Sequence, residues 1–331
     1  DARGAGTSVT DSVDGAMAAG RWSLQYDAAG RLARTTSTTG LDRQVSYTPE
    51  GWLSALETTL PGGGSESFSY AAHDALGNPG AMLSAEGTTQ LACDARSRLV
   101  AVTYPGASAS PCFADEPGGG YGPRSECFAY DKAGSRRRHR TRSGDDLVYE
   151  LDAADALTRI VTHGSGAVRT TYAYDAAGRR RERAQPGVPA ASGSYAYDPL
   201  GRLTRAEAAA GTWTDLTYDA LGHRYQQSDS VLGVSLYLGE WVEHRGGAPV
   251  RLLHGPGVDD VLAEIAGGEV RALVADAGGN VIHAAAPGSV TYTRRWEAFG
   301  ARRSEMGLTS LPQRLVRGFA GRPEEGFATG S

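Results

Sequence analysis

The stretch Tyr26-Asp27-Ala28-Ala29-Gly30-Arg31-Leu32 decides the fold, because the chain repeats its pattern many times. A second clear copy is Tyr197-Asp198-Pro199-Leu200-Gly201-Arg202-Leu203. Nine copies begin between residues 26 and 218, at steps of 20 to 26 residues except for one step of 37. Repetition at a short and nearly constant spacing is the signature of a stack of similar structural units. The sequence therefore predicts a continuous repeat array.

The copies differ in how completely they keep the pattern. Four of them, which begin at Tyr47, His73, Cys93 and Leu151, replace one or two of its defining residues, for instance with Ser97 or Asp155 in place of Gly. The other five keep Tyr-Asp-x-x-Gly in full, and their defining residues are Tyr26, Asp27 and Gly30; Tyr130, Asp131 and Gly134; Tyr174, Asp175 and Gly178; Tyr197, Asp198 and Gly201; and Tyr218, Asp219 and Gly222.

The pattern predicts the tip of a β-hairpin. Asp at the first position and Gly at the fourth favour a type I turn, in which the Gly is left-handed and forms a G1 bulge. We therefore expect positive φ at the five glycines. Across the two strands Asp27 should face Arg31, and Tyr26 should face Leu32.

The residues between the tips favour strands. Segments such as 45–47 and 169–174 are rich in Val, Thr, Ser and Tyr, which suit a pleated sheet. A step of about 20 residues accommodates two strands of about 5–6 residues and two turns. The predicted fold is all-β, a tandem series of hairpins in one long sheet.

Composition and charge exclude several classes of function. No apolar run approaches the roughly 20 residues that a membrane helix needs, and the Gly/Ala/Ser/Thr-rich lead lacks a signal-peptide core. The net charge of −5 argues against a nucleic-acid binder, because such domains carry a basic excess. The chain resembles a piece of a longer protein.

The 37-residue step contains an insertion, 105–124, whose many Gly and Pro residues predict a long surface loop. Cys112 and Cys127 bracket most of it, so they either close the loop as a disulfide or remain two separate thiols. Cys93 occupies a position where the repeat has Tyr, and we expect it to be a small buried apolar residue.

The tandem Tyr-Asp-x-x-Gly-Arg-Leu copies resemble the RHS/YD-repeat family, which includes the RHS polymorphic toxins, the C components of Tc toxins and the teneurins. The later sequence resembles the closing part of the RHS core, ending in the start of its last motif at 317–322. The segments that carry this second likeness are 237–241, 254–260, 276–281, 296–300 and 317–322.

This resemblance implies a spiralling sheet that closes as a hollow shell around a toxic polypeptide. It divides the chain into a lead (1–20), a repeat array (21–228, with the insertion 105–124) and a truncated RHS-core-like segment (229–331). The implied partners are a C-terminal toxin or effector and flanking parts of the same polypeptide, with no nucleic acid and no membrane span. The implied location is the bacterial cell surface or the secreted fraction, and no cofactor is implied.

Other interpretations remain open at this point. Asp198-Pro199-Leu200-Gly201 matches a string of the family's aspartyl protease centre, but such chemistry needs a second carboxylate, and Pro at that turn position is favourable in itself. The basic stretches 136–142 and 179–183 could bind polyanions, although solvated strands are expected. The seven His residues show no zinc-type spacing. We therefore expect no enzyme activity. The alternative function is adhesion to glycans through exposed Tyr and Trp residues, such as Trp22, Trp52, Trp213, Trp241 and Trp296.

Overall fold

The structure is a computed structural model, and its described residues are 8–10, 21–107, 112–113, 125–231, 233–238, 242–245, 248–256, 260–267, 269–299 and 302–307. They form 27 β-strands and one short 3-10 helix. No helix among these residues is long and apolar enough to cross a membrane. The motif at 317–322, Trp241 and most of the lead lie outside the described residues.

The chain divides into two compact units. Unit 1 comprises the described residues up to Phe68 and those from Thr214 onward, whereas unit 2 is Ser69–Trp213. The strands up to the first boundary are β1 (Ser8–Thr10), β2 (Arg21–Tyr26), β3 (Leu32–Ser37), β4 (Asp42–Tyr47), β5 (Leu53–Thr59) and β6 (Ser65–Ala71), and β6 crosses that boundary.

Unit 2 continues the series of hairpins. Its strands are β7 (Ala81–Ser84), β8 (Gly87–Cys93), β9 (Leu99–Thr103), β10 (Ser125–Tyr130), β11 (Arg136–Arg140), β12 (Asp146–Leu151), β13 (Leu157–Thr162), β14 (Val168–Tyr174), β15 (Arg180–Ala184), β16 (Gly193–Tyr197) and β17 (Leu203–Ala208), with the 3-10 helix at Pro189–Ala191.

The remaining strands return the chain to unit 1. They are β18 (Trp213–Tyr218), β19 (Arg224–Asp229), β20 (Gly233–Leu238), β21 (Val242–Arg245), β22 (Ala248–His254), β23 (Val261–Ala266), β24 (Glu269–Ala275), β25 (Val281–Ala286), β26 (Ser289–Trp296) and β27 (Arg302–Gly307). Successive strands pair antiparallel, as in β2–β3, β12–β13 and β25–β26. The predicted all-β fold of tandem hairpins is confirmed.

The register of the hairpins explains the repeated pattern. In β2–β3, Gln25 pairs with Arg34 and Tyr26 pairs with Leu32, so the register shifts by one residue at the tip. The same shift precedes Tyr197, which pairs with Leu203. A shift of this kind is a β-bulge, and it places the first and last residues of each copy opposite each other.

Burial differs between the early and the late strands. In β5 and β6 buried residues alternate with exposed ones, as expected for strands with one covered face. In β23 and β25, five successive residues are buried, so both faces of these late strands are covered. Their apolar cluster consists of Val250, Leu252, Val261, Leu273, Val281, Ala284 and Tyr292.

Polar residues occupy many of the buried positions of the alternating strands. Thr35, Thr58 and Thr214 are each at most 4% exposed, and Gln227 and Asp229 are also buried. Thr214 satisfies its hydroxyl by donating to Asp229 Oδ2 over 2.6 Å. The covered face of these strands therefore carries polar, hydrogen-bonding residues among apolar ones such as Leu24, Leu56 and Phe68.

Candidate functional site: the repeat turns and their contacts

In eight of the nine copies the turn is held by its own aspartate, and in the other Thr48 Oγ1 accepts the backbone N–H of Trp52. The backbone N–H of Gly30 donates to Asp27 O and that of Asp27 to Arg31 O, which closes the tip. Asp27 Oδ1 accepts the backbone N–H of Arg31, while Oδ2 accepts its guanidinium Nε at 2.7 Å. The short Asp side chain thus bonds both the backbone and the side chain of the residue four positions later.

Other copies repeat this arrangement closely. The Oδ2 atoms of Asp94, Asp175 and Asp198 accept Nε of Arg98, Arg179 and Arg202 over 2.6–2.7 Å. Two turns use asparagine in place of arginine: Asn78 donates its side-chain N–H to Asp74, and Asn280 donates to Asp276. In these turns the residue four positions after the aspartate supplies a side-chain donor, whereas at Asp152 only the backbone N–H of Ala156 donates.

The residue before that donor adopts the left-handed backbone. Gly30, Gly134, Gly178, Gly201 and Gly222 have φ of 81°, 100°, 76°, 84° and 90°. Ser97 and Asp155, which replace Gly in two degenerate copies, keep the conformation at φ 59°. The turn geometry therefore persists where the sequence pattern is incomplete.

Hydrogen bonds lower the pKa of several turn aspartates. The Arg98 guanidinium beside Asp94 lowers the pKa of that carboxyl to about 2. The backbone N–H of Arg31 is the largest cause of the lowered pKa of Asp27, as that of Arg179 is for Asp175. These carboxylates are ionised acceptors, since both oxygens face donors.

A second set of contacts joins four of the copies to the strand that precedes them. The hydroxyl of Tyr47 donates to Leu32 O over 3.0 Å, so the first residue of one copy bonds the last residue of the preceding copy. Tyr130, Tyr174 and Tyr197 make the same bond to Leu99, Leu157 and Arg180 over 2.7–2.9 Å. Burial raises the pKa of these four tyrosines, so they remain protonated donors.

The arginine of one turn also stacks on the tyrosine of the next. The Arg31 guanidinium carbon lies 4.2 Å from the ring centre of Tyr47, and the corresponding distances for Arg98 on Tyr130 and Arg179 on Tyr197 are 4.7 and 5.1 Å. Each arginine is therefore shared between its own aspartate and the next aromatic ring. We call the Asp–Arg pair, the stacked ring and the tyrosine hydrogen bond the inter-repeat lock.

The lock has a counterpart in the late strands. Trp296 Nε1 donates to Val281 O over 3.0 Å, just as the tyrosine hydroxyls bond the preceding copy. Asp276 and Trp296 are 20 residues apart, close to the repeat step, and this spacing could have identified a further copy in the sequence. Asp276 is half-buried, and desolvation raises its pKa, whereas the pKa of Asp27, Asp94 and Asp175 is lowered.

The structure joins Cys112 and Cys127 as a disulfide, with a Cα–Cα distance of 5.4 Å, and leaves Cys93 free and partly buried. Phe113, beside the disulfide, is buried, and the Arg138 guanidinium lies 4.3 Å from its ring centre. The described part of the insertion therefore packs on the sheet.

The basic stretch 136–142 is not the solvated strand that the sequence suggested. Arg138 makes two hydrogen bonds of 2.8 and 2.7 Å to Asp146, and Arg140 is only 4% exposed. The expectation is wrong for Arg138, which Phe113 covers and Asp146 pairs with, and for Arg140, whereas Arg137 is exposed. In the second stretch Arg180 and Arg181 are exposed, and Arg180 stacks on Tyr195 at 4.5 Å.

The carboxylate of Asp198 forms hydrogen bonds within its own turn. Its Oδ1 accepts the N–H groups of Leu200 and Arg202, and its Oδ2 accepts Arg202 Nε. Partial burial acts to raise the pKa of Asp198, but these bonds leave it below its usual value. A carboxylate so occupied differs from one that shares a proton with a second acid, so the geometry gives the protease interpretation no support.

The four described tryptophans are buried or half-buried. Trp22 is 1% exposed, contrary to the expectation of an exposed ring. Trp213 is partly buried beneath Arg205, and the indole of Trp296 is bound to Val281. In the described part of the chain, no group of three His, Cys, Asp or Glu side chains could hold a metal ion.

Comparisons with known proteins identify the fold. The sequence matches no family model and no curated protein. Its structure is similar to a chain of the TcdB2-TccC3-Cdc42 complex, with a TM-score of 0.56 at 15% identity over 93% of this chain. It is also similar to a chain of a Photorhabdus luminescens Tc holotoxin pore carrying a TccC3 mutation, with a TM-score of 0.57 at 15% identity over 97% of this chain.

In both comparisons the match spans 18% of the other chain, so this sequence corresponds to a small part of those proteins. TccC3 is an RHS/YD-repeat protein. At this identity the likeness concerns the fold alone, and it confirms the RHS-like repeat fold that the Tyr-Asp-x-x-Gly copies indicated.

Proposed function

We propose that this chain is a wall segment of an RHS-type shell, which contains a C-terminal toxin or effector of the same polypeptide. The observation that carries the proposal is the inter-repeat lock. It ties neighbouring copies at three described junctions, through Arg31 and Tyr47, Arg98 and Tyr130, and Arg179 and Tyr197. Contacts that repeat between neighbours suit an extended wall, whose stability is a sum of local terms.

The buried polar residues on the covered face of the strands support the same function. Buried threonines such as Thr35 and Thr58 recur where a compact domain would place large apolar residues. A wall that borders water or a polypeptide can carry hydrogen-bonding groups there, because they find partners without a dry core. This composition fits containment better than the formation of one compact core.

The proposal extends to location and partners. The partners are the cargo and the flanking parts of the same polypeptide, and the protein belongs to an exported bacterial toxin system. The similarity to chains of Tc toxin complexes supports this assignment at the level of the fold. Within this function the segment has no catalytic role of its own.

Protease protection of the cargo tests containment. The longer polypeptide that carries this segment, with its natural C-terminal sequence, is compared with the C-terminal sequence expressed alone. We expect the C-terminal part to resist digestion only in the longer polypeptide. Equal digestion rates in the two samples would contradict containment.

A glycan array separates containment from adhesion. Because Trp22 is buried and Trp296 is bound within the fold, we expect no specific glycan to be retained. Retention of one glycan class by the isolated chain would instead favour a role as an adhesive surface.

A further inference from the structure

A buried acid in unit 1 binds two bases that are distant in sequence. Glu66 of β6 accepts Nε2 of His283 at 2.7 Å and Nη2 of Arg295 at 2.8 Å. These partners follow it by 217 and 229 residues. The side chains of Glu66 and His283 are each 7% exposed. This is neither a turn contact nor a contact between neighbouring repeats.

The two bases lie on one face of the β25–β26 hairpin. His283 pairs with Thr293, and Arg295 lies two residues further along β26 on the same face. Thr293 Oγ1 lies 3.1 Å from His283 Nδ1, so both ring nitrogens have a hydrogen-bond partner. The face that carries these three side chains therefore contacts β6 through Glu66.

Close backbone packing marks the same contact at the hairpin turns. A Cβ added to Gly62, in the turn between β5 and β6, would lie 2.2 Å from the carbonyl carbon of Gly288. Gly288 lies between β25 and β26, so the turns of the two hairpins touch. The hairpins therefore meet at their turns as well as at Glu66.

The hydrogen bonds of the cluster can form whether His283 is neutral or protonated. They are strongest when Glu66 is ionised. A neutral His283 can donate from Nε2 to Glu66 while Nδ1 accepts from the Thr293 hydroxyl, and a protonated ring can donate from both nitrogens. Protonated Glu66, in contrast, loses its charge opposite Arg295. The contacts with His283 and Arg295 then weaken, because hydrogen bonds to a charged acceptor are stronger than those to a neutral one.

We propose that Glu66, His283 and Arg295 form an acid-sensitive clasp, which holds the β25–β26 hairpin against β6 and releases it when Glu66 is protonated. The clasp gives unit 1 a defined point at which its late strands separate from its early ones. Proton binding to Glu66 therefore leads to local opening of residues 281–296.

The direction of the pKa shift agrees with release in acid. Burial acts to raise the pKa of Glu66, but hydrogen bonds and charge from His283 and Arg295 leave it below the usual value. A lowered pKa stabilises the folded form above the ordinary value of 4.5, and this stabilisation is lost as pH falls through the lowered value. Among the described residues, the charged or titratable groups that act on Glu66 are His283 and Arg295.

A second carboxyl of unit 1, that of Asp276, responds to acid in the opposite direction. Burial raises the pKa of Asp276, next to β25, although the charge of Arg43 on β4 lowers it. Protonation of Asp276 therefore relieves an unfavourable buried charge as the pH falls. For this reason the test must remove the Glu66 contribution specifically.

Hydrogen exchange measured by mass spectrometry provides that test. Exchange of residues 281–296 is followed in the full chain from pH about 7 to about 3.5, corrected for intrinsic rates, with residues 157–171 of unit 2, which contain no carboxylate side chain, as reference. The variants are Glu66→Gln, which keeps the shape but removes the charge, and Glu57→Gln, a matched control at an exposed position of β5.

In the wild type and in Glu57→Gln, we expect acid to speed exchange of 281–296 by several-fold, up to about tenfold, relative to the reference segment. Glu66→Gln should exchange faster by a similar factor already at neutral pH and gain little more in acid. Wild-type protection in Glu66→Gln would overturn the clasp. If that variant does not fold, the wild-type series still decides, because equal acid-induced opening of both segments would also overturn it.

Discussion

Replacing Gly178 with Val tests the turn geometry with few competing effects. Gly178 has φ of 76°, and a Cβ added there meets no heavy atom within 4 Å. The substitution therefore creates no clash, and its effect comes from the backbone alone. A left-handed conformation costs a side-chain-bearing residue about 1–2 kcal/mol, and a β-branched residue lies at the upper end.

Equilibrium urea unfolding followed by circular dichroism measures this loss. We expect the free energy of unfolding to fall by roughly 1–2 kcal/mol in Gly178→Val, and by less in Gly178→Asn, because Asn tolerates the left-handed region. Ala177→Val is the matched control at the adjacent exposed tip residue, which should change stability by less than about 0.5 kcal/mol.

Two results would refute this reasoning. If Gly178→Val is as stable as the wild type, positive φ is not required at the tip. If Asn and Val destabilise equally, the loss does not arise from the left-handed backbone. Ser97 and Asp155 occupy the equivalent position at φ 59°, which supports graded tolerance by residue type.

Three further predictions concern other parts of the chain. Gly62→Ala should destabilise more than Gly178→Ala in the same unfolding assay, since the added Cβ would lie 2.2 Å from Gly288; equal losses would contradict the contact between the turns. Under non-reducing conditions one thiol should react with an alkylating agent, because Cys112 and Cys127 are joined, and three reactive thiols would contradict the disulfide. Purified wild type and Asp198→Asn should keep identical intact masses, apart from the substitution, during incubation; cleavage lost in the variant would reveal protease chemistry. The destabilisation caused by Asp198→Asn should be present at neutral pH and shrink as pH falls through the lowered pKa of Asp198, because protonated wild type loses the same bonds.

Local interactions made the turns predictable from sequence. Asp27 bonds a residue only four positions away, so the chemistry of the tip lies within one short segment. The tyrosine hydrogen bonds were harder to predict, because Tyr47 reaches Leu32 only when the offset between strands is known. The sequence named the correct tyrosines but assigned them only a partner within their own hairpin.

Contacts between distant segments could not be derived in this way. Arg138 was expected to be solvated, yet Asp146 on the next strand and Phe113 of the insertion enclose it. Glu66 has no distinguishing motif, and its partner His283 lies 217 residues later. Such pairs depend on how strands pack face to face, which the period of a hairpin array does not determine.

The protein therefore combines two kinds of stabilisation with different consequences. The inter-repeat lock is local and repeated, so the loss of one Asp–Arg pair weakens one step of the array while its neighbours keep their own contacts. The contact of Glu66 with His283 and Arg295 occurs once and joins segments far apart in sequence. No neighbouring copy can replace it. A wall built from the first kind tolerates variation among its copies, as the replaced residues at Thr48, Ser97 and Asp155 illustrate. Controlled opening needs a contact such as that of Glu66 with His283 and Arg295. Because this contact has no copy elsewhere in the array, a single protonation can release it.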